Sequence, residues 1–382
     1  MRVFLFIALI FVHVPSLLAA PISSDERQEQ VDAFQQWWGT ELEWRFDKLP
    51  EKGGVPEFRI PYSGHDYPDR AGGTMGALRK YDLAFHNGRQ IATSWEHSDV
   101  GGDRPSQRVW VRGRGLFRNL MATPQPNVPG WYGHCNGWTS AAIRHAAPEK
   151  SVVRNGVRFT PADIKGLLAE IYMYTDAQFL GGVDEAINPG TLHVVLANWI
   201  GRGSFPIGME ATLGPEKWNY PAYAYSTTFA KRSAKRVEVK LNLAYSMSTK
   251  REYDRAEHIK RVKYFHYELE LDEQGQIIGG VYYRDSSRVD MFWAPLKPAR
   301  GGQPGNERGN PHIDIAEVLS IWRESVPKSL RGKWFNIDPT DADRIEAEEA
   351  NTSVSRITDI DGETTDNIKD LTAPSGLLVP LD

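Results

Sequence analysis

The chain has 382 residues, of which 41% are hydrophobic and 25% charged. That balance is typical of a globular domain and excludes a disordered, collagen-like or multi-span membrane chain. The net charge of −4 is unevenly spread: eleven acidic and three basic residues lie between Pro339 and Asp382, which leaves the preceding part at +4. A body so weakly charged lacks the footprint of a nucleic-acid binder, so no nucleic-acid partner is expected.

In chain order, Arg2 precedes an uncharged apolar run from Val3 to Ala20 that ends in small residues. This pattern predicts a signal peptide over residues 1–20. The run is at the lower limit for a spanning helix, so no stable membrane insertion is expected after cleavage. The mature protein is expected to be secreted, to the extracellular space or a periplasm. Residues 21–56 read as an N-terminal helical extension able to act as a propeptide, with Phe34, Trp37, Trp38, Leu42 and Trp44 forming a stripe along a helix over Asp32–Leu49. The catalytic domain is expected over residues 57–340, followed by an acidic flexible tail at 341–382.

Within that domain, Gly53–Gly76 reads as loop and Leu78–Phe85 as helix. The Pro124–Gly130 turn cluster stops any helix before the single cysteine, Cys135. A short helix is expected over Gly137–Ala147. A second is expected from Thr160 to about Thr175, with Thr160 at N-cap and Pro161 at the first position. Beyond it the period shortens. Thr191–Ile200 reads as a strand with Phe205–Thr212 returning beside it, and Val237–Ser248 alternates. Val262–Leu271 and Ile277–Arg284 flank Asp272–Gly275 as a hairpin. Helices first and an antiparallel sheet after define the α+β class.

Export makes the lone thiol significant. It has no internal partner, and an unpaired thiol in an oxidising compartment must be buried, pair between chains, or be reactive by design. None of the ten histidines makes a Cys/His ligand spacing around it, so no metal is expected there. A thiol at a loop-to-helix junction sits near free N–H groups and the positive end of the helix dipole, which favours the thiolate. The Cys135 N–H would supply half of an oxyanion hole. Gly133 and Gly137, on either side, would permit close approach of a substrate. His193, 58 residues downstream on the expected apolar strand, is the preferred base. His134 ranks below it because neighbouring side chains point apart, and His145 is expected on the surface. Glu210, 17 residues beyond His193 on the return strand, is the preferred orienting group. Asn198 is a second candidate, with its offset from His193 counting against it.

Several blocks then resemble the transglutaminase elicitor family of secreted acyltransferases. They include Ile60-Pro-Tyr-Ser-Gly-His-Asp-Tyr-Pro68, Leu78-Arg-Lys-Tyr-Asp-Leu-Ala-Phe85, the Gly133–Trp138 cysteine motif and Asn155–Leu168. Further along lie Asn188-Pro-Gly-Thr-Leu-His193, Lys217-Trp-Asn-Tyr-Pro221, Tyr267–Gly280 and Asp290-Met-Phe-Trp293. The resemblance implies a papain-like or transglutaminase-like cysteine core. In it Cys135 is the nucleophile, His193 the histidine, and Glu210 stands where the family has Asp. Tyr220 replaces the Gln of the family's Trp-Asn-Gln-Pro peptide. The implied activity is protein-glutamine gamma-glutamyltransfer, with protein glutamine and lysine side chains as substrates. No organic cofactor is expected. The resemblance admits calcium, for which only Asp359–Glu363 in the tail looks faintly suited. Trp131, Trp138 and Trp218 are candidates for lining a dry groove. The rival readings are a papain-like cysteine peptidase, a glutamine deamidase, and a non-catalytic secreted binding module with an inert Cys135.

Overall fold

The computed structural model describes residues 20–100, 129–182 and 186–334. The expected acidic tail at 341–382, the calcium-like segment within it and nearly all of the expected signal peptide lie outside these residues.

The chain enters through β1 (Ala20–Pro21) and α1 (Ser24–Trp38). Ser23 caps α1 by accepting from the Glu26 N–H, and Gly39 ends it at φ 66°. The helix expected over Asp32–Leu49 therefore starts and stops earlier, because the left-handed Gly39 breaks it. Its aromatic stripe nevertheless packs inward. Phe34 stacks on Trp38 at 4.7 Å, and Trp38 meets Trp199 edge-on at 4.4 Å, each such pair contributing about 0.5–1.5 kcal/mol beyond burial. β2 (Lys52–Gly54) follows and pairs with the long strand described below. Residues 21–56 thus share one core with the rest of the described chain.

Three helices, α2 (Met75–Phe85), α3 (Ile91–Asp99) and α4 (Cys135–Arg144), precede the small hairpin of β3 (Val152–Arg154) and β4 (Val157–Phe159). Next comes α5 (Pro161–Ile171), whose Thr160–Asp163 capping box agrees with the sequence expectation. After β5 (Ala177–Phe179) the chain forms α6 (Pro189–Val195), which runs on into a π-helical turn over Leu196–Arg202. Here the reading of Thr191–Ile200 as a strand is corrected. The run is apolar because it is buried on all sides, and periodicity alone does not separate a buried helix from a buried strand. Asn188 at N-cap and Pro189 at the first position start the helix.

The remaining strands are β6 (Ile207–Glu210), β7 (Asn219–Ser233), β8 (Arg236–Ser246), β9 (Lys260–Leu271), β10 (Ile277–Tyr282) and β11 (Met291–Pro295). They form a nine-stranded antiparallel sheet in the order β1-β10-β9-β8-β7-β6-β11-β5, with β2 also on β7. The β9–β10 hairpin turns at Gly275, φ 80°, as its sequence signalled. α7 (Ile315–Ser325) and α8 (Lys328–Arg331) close the described chain. α7 joins α2 and α5 in a second apolar cluster. The α+β expectation is borne out.

Candidate active site

Cys135 is the first residue of α4. Two backbone attachments place it there: the His134 N–H donates to the Asp66 carbonyl at 2.8 Å, and the Asp69 N–H donates to the Tyr132 carbonyl at 3.0 Å. Gly133 and Gly137 serve this seating, not substrate approach. A Cβ at Gly133 would lie 2.7 Å from the Asp66 carbonyl oxygen, and one at Gly137 only 2.1 Å from that of Ala169. The glycines let α4 press against the 66–69 loop and against α5.

The thiol is 6% exposed and lines a cleft of about 450 Å³ whose walls include Trp131, Tyr132, Tyr172, Phe179 and Trp293. Its sulfur lies 3.7 Å from Asn219 Nδ2 and 3.6 Å from the Lys217 carbonyl oxygen. The other end of the Asn219 amide, Oδ1, accepts from Trp293 Nε1 at 3.0 Å. Sheet register explains this convergence. Glu210 on β6 pairs with Asn219 on β7 and with Met291 on β11, and residues opposite one another share a face. Gly208, paired with Trp293, leaves room for the indole: a Cβ there would lie 2.4 Å from the ring.

Behind the sulfur stands an ion cluster. Lys217 Nζ lies 2.6 Å from Asp290 Oδ2 and 3.2 Å from Glu210 Oε1, and both carboxylates are 1% exposed. Burial pushes the Cys135 thiol above its ordinary value. Opposing this, the Asn219 backbone and side-chain N–H groups and the Asn136 N–H stabilise the anion, while Asp66 adds to the upward push. The expectation of a thiolate favoured by the helix terminus is corrected to this extent: desolvation outweighs the donors.

Two of the three expected site residues, Cys135 and Glu210, share the cleft, and His193 does not. His193 sits on α6, 3% exposed, with Nδ1 2.8 Å from the Tyr267 hydroxyl and its ring against Phe46. Tyr267 on β9 pairs with Val239 on β8, which pairs with Phe229 on β7, ten residues along that strand from Asn219, or roughly 30 Å at ordinary strand rise. Burial lowers the His193 pKa to about 4, so it is a neutral core histidine. Among the described residues, no histidine lines the Cys135 cleft.

Asn198 is also structural, pairing through its amide with the backbone N–H and carbonyl of Glu43. His145, expected on the surface, is buried against Tyr172 and Trp322. Of the three tryptophans proposed as lining, Trp131 lines the cleft, Trp138 is buried beneath it at 1% exposure, and Trp218 packs on the main core. Sequence reasoning missed Lys217, Asn219, Asp290 and Trp293 as site residues. Their signal lay in the blocks Lys217–Pro221 and Asp290–Trp293, each putting polar or aromatic residues at a strand's start.

Among the described residues, one cluster could hold a metal ion, formed by Glu96, His134 and Glu170. It does not fit calcium, because a histidine nitrogen is one of its three donors. No helix among the described residues is long and apolar enough to cross a membrane.

The structure matches the GP42 transglutaminase from Phytophthora sojae with a TM-score of 0.64 and 23% identity, over 80% of this chain and 99% of that one. The fold is therefore that of a transglutaminase-like protein. The suspected transglutaminase elicitor family is borne out as well: residues 122–241 match the family described as transglutaminase elicitor, a stretch that contains Cys135, His193 and Glu210. No curated protein sequence matches the chain.

Proposed function

We propose that the protein is a secreted protein-glutamine gamma-glutamyltransferase working through Cys135. The observation that carries this reading is the contact of the Cys135 sulfur with Asn219, at a helix N-terminus inside an aromatic-walled cleft. The transglutaminase-like fold supports it. The apolar run at residues 1–20 supports export.

Cys135 attacks the carboxamide carbon of a protein glutamine. Its proton passes to the carboxylate cluster, in which Glu210 takes the part the sequence assigned to His193. The oxyanion forms beside the first-turn N–H groups of α4, which lack a side-chain cap. The proton then moves to the leaving nitrogen, ammonia departs and a thioester remains. A lysine amine attacks the thioester carbon, gives up a proton to the same carboxylate, and the thiol re-forms as the isopeptide bond closes. Lys217, bridging Glu210 and Asp290, keeps two buried carboxylates compatible at close range.

Incorporation of a fluorescent primary amine into dimethylated casein tests the reading. Activity lost in Cys135→Ala supports it; activity retained in that variant overturns it. Ammonia release without amine incorporation would make the enzyme a glutamine deamidase, and cleavage of the casein would make it a peptidase.

A further inference from the structure

We infer that Glu96, His134 and Glu170 form a closed binding site for one divalent transition-metal ion, of the zinc or manganese class, directly behind the Cys135 helix. This site lies outside the cleft chemistry and stands whether or not the protein transfers acyl groups.

Three elements bring the donors together: Glu96 from α3, His134 at the N-cap of α4, and Glu170 from α5. His134 Nε2 lies 3.1 Å from Glu170 Oε2 and 3.7 Å from Glu96 Oε1, with all three side chains fully buried. An ion about 2.0–2.2 Å from each donor would itself space them about 3.0–3.5 Å apart. The donors are therefore already close to coordination distance.

The contacts do not have the character of a finished hydrogen-bond network. His134 Nδ1, Glu96 Oε2 and Glu170 Oε1 make no hydrogen bond, and His134 Nε2 has only its contact with Glu170. Buried polar atoms left in this way call for a partner. Charge points the same way. Two buried carboxylates against one imidazolium leave an excess negative charge, whereas a dication with a neutral imidazole cancels both.

The surroundings orient the donors as an outer shell does. The Thr74 N–H donates to Glu96 Oε1 at 2.9 Å, and the Thr74 hydroxyl donates to Glu170 Oε2 at 2.5 Å. Asp69 faces the second ring nitrogen at 4.0 Å and is itself held by Arg308. At Gly73, φ 53°, a Cβ would lie 1.8 Å from Glu96 Oε1, so the cradle requires glycine there. A nitrogen with two carboxylates suits zinc, manganese or ferrous iron better than calcium. Full burial of the donors makes the role structural: the ion would hold the residue that immediately precedes the nucleophile.

The test is elemental analysis of the full chain purified without chelator, combined with thermal unfolding of wild type and Glu96→Gln. The expected result is about one equivalent of zinc or manganese per chain, with Tm falling when the ion is stripped. Glu96→Gln should lose the ion and melt lower. A purely protein-based network with Glu96 already protonated would tolerate that isosteric change with Tm unmoved. Refolding with Co²⁺ gives a second readout, visible ligand-field absorption in wild type that is absent in Glu96→Gln. A chain that holds no metal as isolated or after refolding with Zn²⁺, Mn²⁺ or Co²⁺, and whose Tm ignores both chelator and Glu96→Gln, overturns the proposal.

Discussion

Trp293 Nε1 donates to Asn219 Oδ1 at 3.0 Å, which turns the amide nitrogen of Asn219 toward the Cys135 sulfur at 3.7 Å. The indole thus fixes which end of the amide meets the thiol, although it makes no hydrogen bond to the sulfur itself. Asn219→Ala should lower amine incorporation by about 10²-fold, in the range for loss of one oriented donor, with the larger effect on kcat. Trp293→Phe keeps the ring and removes the donor. It should give a smaller loss in the same direction, read by the split between kcat and KM.

Burial, set against three N–H donors, leaves the Cys135 thiol harder to ionise than a free cysteine. Alkylation by iodoacetamide should therefore be slow at neutral pH and still climbing above pH 9. Asn219→Ala should move the curve further to alkaline pH, because it removes a group that stabilises the anion. A pH-rate curve of alkylation for the two proteins checks both statements.

His193 is neutral and buried, away from the Cys135 cleft. His193→Gln should retain amine incorporation within a few-fold of wild type. The variant should also differ in acid stability. Because the folded-state pKa is depressed to about 4, stability is complete above the unfolded value near 6.5 and is lost as pH falls toward 4. The unfolded chain binds the proton first. The loss amounts to about 1.4 kcal/mol per pH unit across that window. Urea unfolding at pH 7 and pH 4.5 should show a smaller decrease in the variant.

Gly137 lets α4 approach α5 closely enough that a methyl group would lie 2.1 Å from the Ala169 carbonyl oxygen. Gly137→Ala should therefore destabilise by about 1–3 kcal/mol through overpacking, despite alanine's better helix propensity. Tm by calorimetry checks the sign, which propensity alone would give wrongly.

Lys217→Met leaves Glu210 and Asp290 without the cation between them. The two buried carboxylates then lack the counter-ion they share. Amine incorporation should fall, with kcat changing more than the glutamine KM, as steady-state kinetics of the variant would show.

Local signals carried a good part of the fold. Thr160-Pro161 and Asp163 announce the start of α5, Asp272–Gly275 announces a hairpin, and the alternation of Val237, Val239 and Leu241 announces β8. Each depends on neighbours within one turn or one strand, so each can be read without tertiary information. Cys135 was legible for a related reason: it is the only cysteine, and it stands where a turn cluster gives way to a helix.

What a side chain meets across the sheet was not legible. Thr191–Ile200 is apolar on every side, so the sequence by itself could not separate helix from strand, and it made His193 look like a strand residue aimed at the cleft. Tertiary packing put it on α6 against Tyr267. The pairing of Glu210 with Asn219, the reach of Trp293 over Gly208 and the meeting of Glu96, His134 and Glu170 join residues 9 to 85 positions apart. The sequence determined the fold class and the family resemblance, and it singled out Cys135. Only the tertiary structure decided the partners of Cys135, because sheet register and helix docking, not sequence spacing, set which polar side chains are buried together.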